Sequence, residues 1–166
     1  HMRDQPRRPT DMHTVEPVLA YDIETISAAE QPDESFPPWP THRPIALGLA
    51  RAEEVDGEWM FGLKALIASG GDGVDLVDAL EQQLGTVWTA ATFNGRGFDA
   101  PVMRLAALRS RRFDLPQLAT HAHAQRFGRA HADLAELFSS YGRARRPALA
   151  DICTELGIPV KTSVHG

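Results

Sequence analysis

Apolar and polar positions along the chain follow two periods, near 2 for strands and near 3.6 for helices. Val18-Leu19-Ala20-Tyr21-Asp22-Ile23 is a β-type run entered after Pro17, yet Asp22 and Glu24 stand where a buried strand would carry apolar side chains. Residues 28 to 44 are rich in Pro, Asp, Glu and Ser and contain Phe36-Pro37-Pro38-Trp39-Pro40, which predicts a long surface loop with an apolar anchor at its tip. Ile45 to Ala50 and Trp59 to Leu63 are short apolar runs joined through Asp56-Gly57, a dipeptide that favours a hairpin turn. Leu76, Val77, Leu80 and Leu84 recur at helical spacing, closed by Gly85. Thr86 to Phe93 reads as a further strand, followed by Asn94-Gly95 and by a helix opened at Pro101. Ala132 to Tyr141 and Leu149 to Leu156 read as two more helices, the second stopped by Gly157 and Pro159. The order predicts an α/β fold, a mixed sheet flanked by helices.

Composition narrows the class. The chain has 166 residues, 43% hydrophobic and 23% charged, which suits one globular domain. No apolar run approaches the ~20 residues that cross a bilayer, so no membrane partner is expected. Cys153 is the single cysteine and no signal-peptide pattern opens the chain, which makes a reducing cytoplasm the expected compartment. His1-Met2 resembles a cleaved tag, and residues 1 to 16 are polar and aperiodic, so the domain is expected over 17–166. The net charge of −5 is unevenly spread: residues 1 to 90 hold 6 Lys and Arg against 16 Asp and Glu, residues 91 to 166 hold 11 against 6. Arg109, Arg111, Arg112, Arg126, Arg129, Arg143, Arg145 and Arg146 supply most of the basic half, which could face phosphates or be a solvated surface. His121, His123 and His131 have no cysteine or paired ligand nearby and are expected to be exposed.

Three carboxylates carry the candidate chemistry. Asp22 and Glu24 lie two apart on one strand, so both leave the same face within reach of one cation. Acids held that close require compensating positive charge, and hard oxygen donors suit Mg²⁺ or Mn²⁺. Asp99 falls between the last strand and the helix opened by Pro101, where it could cap that helix, bind metal, or do both.

Tyr21-Asp22-Ile23-Glu24-Thr25 resembles the first motif of the exonuclease superfamily named for its four acids, D-E-D-D. Asn94-Gly95-Arg96-Gly97-Phe98-Asp99 resembles its second motif in the N-G-x-x-F-D form. The likeness is greatest to the predicted 3′→5′ exonucleases related to the proofreading domain of family-B DNA polymerases. It extends through His131-Ala132-Asp133-Leu134 and the leucine-rich stretch ending at Gly157, covering roughly residues 18 to 166. The resemblance implies an RNase H-like fold and hydrolysis at the 3′ ends of DNA or RNA with two Mg²⁺ or Mn²⁺ ions. By the same resemblance Asp22 would bridge both ions, Glu24 would hold one near the terminal nucleotide, and Asp99 would bind the other directly or through water. Asn94 would position the loop or the substrate, and Phe98 would pack or wedge beside a base. The third motif, a fourth acid preceded four or five positions earlier by Tyr or His, is expected after Gly157, and the chain ends at Gly166 without it. Tyr141 is followed four residues later by Arg145, and Asp133 is expected to cap its helix. The expectation is a C-terminally incomplete exonuclease domain, poorly active as it stands.

Two rivals remain. Gly95-Arg96-Gly97-Phe98-Asp99-Ala100 also satisfies the dinucleotide fingerprint G-x-G-x-x-G/A, but no strand is expected in the polar, proline-broken stretch from Arg111 to Pro116. The other rival is an exonuclease-like module that binds nucleic acid or a protein without turnover.

Overall fold

The computed structural model describes residues 15–27 and 40–159. The tag-like start, the aromatic-proline tip and His165 lie outside the described residues. Five strands and five helices follow in the order β1 Val18–Ser27, β2 His42–Val55, β3 Glu58–Ile67, α1 Val74–Leu84, β4 Thr89–Thr92, α2 Asp99–Arg109, α3 Pro116–Ala122, β5 His131–Asp133, α4 Leu134–Phe138 and α5 Leu149–Glu155. They form one mixed sheet in the order β3-β2-β1-β4-β5, with β1 antiparallel to β2 and parallel to β4.

The hairpin of β2 and β3 turns at Asp56 (φ 52°) and Gly57 (φ 82°), the two left-handed residues that a tight turn matched to strand twist requires. β2 begins at His42, inside the stretch expected to be loop. Pro44 is accommodated because pairing with β3 starts only at Ala46, so the earlier residues of β2 have an open edge that demands no N–H from proline. The register of β1 with β2 slips between Glu24 and Thr25, a bulge at the end of the acid-bearing stretch.

Alternation along the central strands sorts the side chains. Leu19, Tyr21, Ile23, Leu47 and Leu49 point to one face and are buried against Leu76, Val77 and Leu80 of α1, Met103 and Ala106 of α2, and Leu118 of α3. Each fully buried leucine contributes roughly 1.5–3 kcal/mol relative to exposure. The opposite face carries Ala20, Asp22, Gly48, Ala50, Leu63 and Ala91, which line a groove of about 630 Å³ rimmed by Leu134 at the start of α4 and Leu149 of α5.

The second half of the chain departs from expectation in three places. The strand read from Thr86 is confined to Thr89–Thr92, since the chain turns at Gly85 and Thr86, where the Thr86 hydroxyl donates to the Gln83 carbonyl. α3 was not foreseen, although Pro116 at its first turn and the buried Leu118 and His121 three apart are its signals. The helix expected from Ala132 is strand β5 through Asp133 and a helix only from Leu134 to Phe138; a strand of three residues is too short to show a period.

The histidines overturn their reading as surface groups. His131 and His121 are both buried and stack with centroids 3.8 Å apart; His123 alone of the three is exposed. The Nδ1–H of His121 donates to the Ala130 carbonyl (3.3 Å), leaving Nε2 to accept from the Tyr21 hydroxyl (2.7 Å). His131 Nε2 shares a hydrogen bond with the Thr92 hydroxyl (2.8 Å). Burial pushes their pKa values down to about 4 for His121 and about 3 for His131, and it raises that of Tyr21, so all three are neutral.

Candidate metal and active site

Beyond Ala20, β1 runs past its pairing with β4, because β4 stops at Thr92 and the chain turns away. That leaves backbone N–H groups of β1 in need of acceptors. The first residue of α2 supplies one: Asp99 is buried, and its Oδ1 accepts the N–H of Ile23 at 3.1 Å. Asp99 is the first residue of α2 rather than its N-cap, which is Phe98, and its carboxylate faces β1.

Asp22 is exposed on the groove face, opposite Gly48. Asp22 lies near enough for its charge to act on Asp99. Burial first, and the charge of Asp22 second, raise the pKa of Asp99 to about 6, against the lowering by the Ile23 amide. Glu24 is exposed two residues along the same strand face, next to the bulge. Among the described residues no three His, Cys, Asp or Glu side chains converge closely enough to hold one cation. The structure thus joins Asp22 to Asp99 and leaves Glu24 outside that pair. A carboxylate pair with one member buried and the other open to a groove nonetheless fits a hard divalent cation, which would relieve the repulsion between them.

The loop that delivers Asp99 is built on backbone contacts. Asn94 adopts φ 64°, a region that Asn tolerates better than most residues. A Cβ on Gly95 would lie 2.5 Å from the Cβ of Thr92, so only glycine lets the turn close over the end of β4. Asp133 accepts from the Asn94 amide (2.9 Å), the Arg96 amide (3.0 Å) and the Ala135 amide (3.1 Å). It caps α4 as expected and also clamps the second motif, a role that its helix-start position did not signal. Arg96 donates to the carbonyls of Ala124 (2.7 Å) and His131 (2.9 Å) and pairs with Glu136 (3.2 Å). Phe98 packs against the core and sets its ring edge-on to His42 with centroids 4.9 Å apart. Asn94 Oδ1 accepts from Arg146 (2.5 Å), which places that arginine at the mouth of the loop.

These contacts argue against a dinucleotide cradle. A parallel strand, β5, does follow the fingerprint, but the Asn94 and Arg96 amides are already engaged by a carboxylate, and Asp99 puts negative charge at the helix start where a pyrophosphate would sit.

Comparison with solved structures gives the fold its relatives. The chain is similar to the family B DNA polymerase from the hyperthermophilic archaeon Pyrobaculum calidifontis, with a TM-score of 0.58 and 19% identity over 87% of this chain and 19% of that one. It is also similar to exonuclease I, with a TM-score of 0.54 and 14% identity over 89% of this chain and 37% of that one. A product-bound exonuclease I gives a TM-score of 0.51 at 13% identity, over 86% of this chain and 39% of that one. The chain therefore spans well under half the length of these proteins. No curated protein sequence matches it. The five-stranded mixed sheet with its flanking helices is an RNase H-like fold. Residues 34–166 match the family described as predicted 3′-5′ exonucleases related to the exonuclease domain of PolB, and the chain belongs to that family.

Proposed function

We propose that this domain is a metal-dependent 3′→5′ exonuclease whose acid site is built on Asp22, Asp99 and Glu24. The observation that carries the reading is the pair formed by buried Asp99 and exposed Asp22 at the open end of β1, where the charge acting on Asp99 is another acid. Asp22 and Asp99 would hold a Mg²⁺ or Mn²⁺ ion, with Glu24 serving a second. Bound divalent ions supply activation of the attacking water and charge stabilisation at the leaving oxygen. The chain's own residues fix the geometry: the Ile23 amide orients Asp99, and Asp133 holds the loop that presents Asn94.

A binding module without turnover is the second reading, favoured by the lack of a three-ligand cluster among the described residues. One set of measurements decides between them. With Mn²⁺ and 5′-labelled single-stranded DNA and RNA, the protein is expected to shorten strands from the 3′ end. Asp22→Ala should abolish what activity there is, by ~10²-fold or more. Mn²⁺ should raise the melting temperature of the wild type and not of Asp22→Ala, by mass action on the folded state. Retention of labelled strands with no shortening in any metal establishes the binding module instead. Equal activity in wild type and Asp22→Ala refutes the acid site.

A further inference from the structure

Many arginines of the basic half are engaged in structural roles. Arg109 donates to the carbonyls of His42 (2.8 Å) and Pro40 (2.5 Å), Arg112 pairs with Asp78 (2.6 Å), and Arg96 is tied down within its loop. Two neighbouring turns hold a different arrangement. Residues 126–129 carry Arg126, Phe127 and Arg129, and the turn after α4 carries Tyr141, Arg143, Arg145 and Arg146.

Phe127 is 75% exposed. Its ring meets Tyr141 edge-on with centroids 4.5 Å apart, and the Arg126 guanidinium lies 5.7 Å from the centre of the Tyr141 ring. Ser140, Tyr141 and Gly142 all take left-handed backbone angles, and the turn is closed by the Tyr141 amide on the Glu136 carbonyl (2.7 Å) and the Ala144 amide on the Ser139 carbonyl (2.9 Å). The turn thereby fixes the backbone from which the Tyr141 ring projects, and Phe127 and Arg126 pack against that ring. Phe127, Tyr141, Arg126 and Arg129 line a groove of about 330 Å³ at the β5 edge. Asp133 forms part of its wall and also fixes Asn94 beside the acid pair, while Arg146, on the same turn as Tyr141, reaches Asn94 directly.

We propose that Phe127 and Tyr141, with the arginines of their two turns, form a platform for single-stranded nucleic acid behind the 3′ end. The proposal rests on the exonuclease reading and deepens it, assigning a second contact region outside the acids. An exposed ring stacks on any base, since every base presents a π-face, while arginines on both sides meet the phosphates. Glu136 is paired with Arg96 (3.2 Å) and Arg126 (3.1 Å), and the Asp133 carboxylate in the wall is taken up by the Asn94, Arg96 and Ala135 amides, so Arg129 is the lining cation left to meet a phosphate.

The test separates bases from backbone. Fluorescence anisotropy, in Ca²⁺ to hold off hydrolysis, is measured with a fluorescein-labelled thymidine 12-mer and with an abasic 12-mer of the same backbone. Phe127→Ser should weaken binding of the thymidine strand about tenfold and leave the abasic strand unchanged, whereas Phe127→Trp should retain it. Arg129→Ala should weaken both strands and lower the salt dependence by about one unit of slope. The exposure of Phe127 makes unfolding of the serine variant a poor explanation, and its melting temperature checks this. If Phe127→Ser weakens neither strand, or both equally, the platform is refuted while an Asp22-dependent nuclease activity would still uphold the exonuclease reading. If the wild type binds no strand at all, both fall.

Discussion

At the scale of single residues, glycine at position 95 is fixed by contact rather than by backbone angle. Its missing Cβ would approach the side chain of Thr92 to 2.5–2.7 Å, and Thr92 cannot retreat because it is buried and bonded to His131. Gly95→Ala should therefore destabilise the fold by about 1–3 kcal/mol, the usual range for overpacking, as read from the urea midpoint at unchanged m-value. Because the same turn leads to Asp99, activity should fall further than stability alone predicts. The sequence showed that a glycine stood between strand and helix, but not which side chain it had to clear. Thr92 lies only three positions earlier, yet the contact depends on how the turn folds back.

At the scale of elements, Asp133 ties three together: the end of β5, the start of α4, and the loop between β4 and α2. Asp133→Asn keeps the shape but puts an NH₂ opposite a backbone N–H that needs an acceptor. The expected cost is about 1–3 kcal/mol, with loss of the proposed nuclease activity exceeding the loss of folded protein, measured by comparing denaturation with initial rates. The central elements were legible in the chain itself. Alternation marked β1, Asp56-Gly57 marked the hairpin, and the leucine spacing marked α1, because each signal is local. β5 and the Asp99–Ile23 contact were not legible, since His131 is a core residue through neighbours ten and more positions away and Asp99 meets β1 across 76 residues of chain. The second motif named Asn94 and Asp99 without revealing that Asp133 holds them.

At the scale of the whole molecule, the stacked histidines make stability depend on acid. The groups facing them are Tyr21 on β1, Thr92 on β4, the Ala130 carbonyl, Arg96, and Asp133. Unfolded histidine titrates near 6.5, whereas His121 and His131 resist protonation until about pH 4 and 3 in the fold. Below pH 6.5 the unfolded chain takes up protons that the folded chain refuses. The stabilisation is thus whole above pH 6.5 and is lost as pH falls towards 3–4, with a limiting slope of about 1.4 kcal/mol per unit for each histidine. Asp99, its pKa raised to about 6, works in the opposite sense between about pH 4 and 6, so the profile is best recorded by urea denaturation in an Asp99→Asn background. His121→Phe should there reduce the slope between pH 6.5 and 4.5 by about half. An unaltered slope would show that the pair does not control acid sensitivity.

The seam between β1 and β4 consists of three register pairs, Val18 with Thr89, Leu19 with Ala90 and Ala20 with Ala91, whereas β1 and β2 share ten. Folding follows the same inequality: the β2–β3 hairpin closes locally, while β4 must find β1 across some seventy residues at a high loop-closure cost. Asp22 belongs to one side of this seam and Asp99 follows the strand on the other, so the acid pair depends on a closure distant in sequence. Partial opening should undo it first. In native-state hydrogen exchange, amides of β4 should be protected less than those in the middle of β2. The site would then be lost to mild denaturant before the hairpin is.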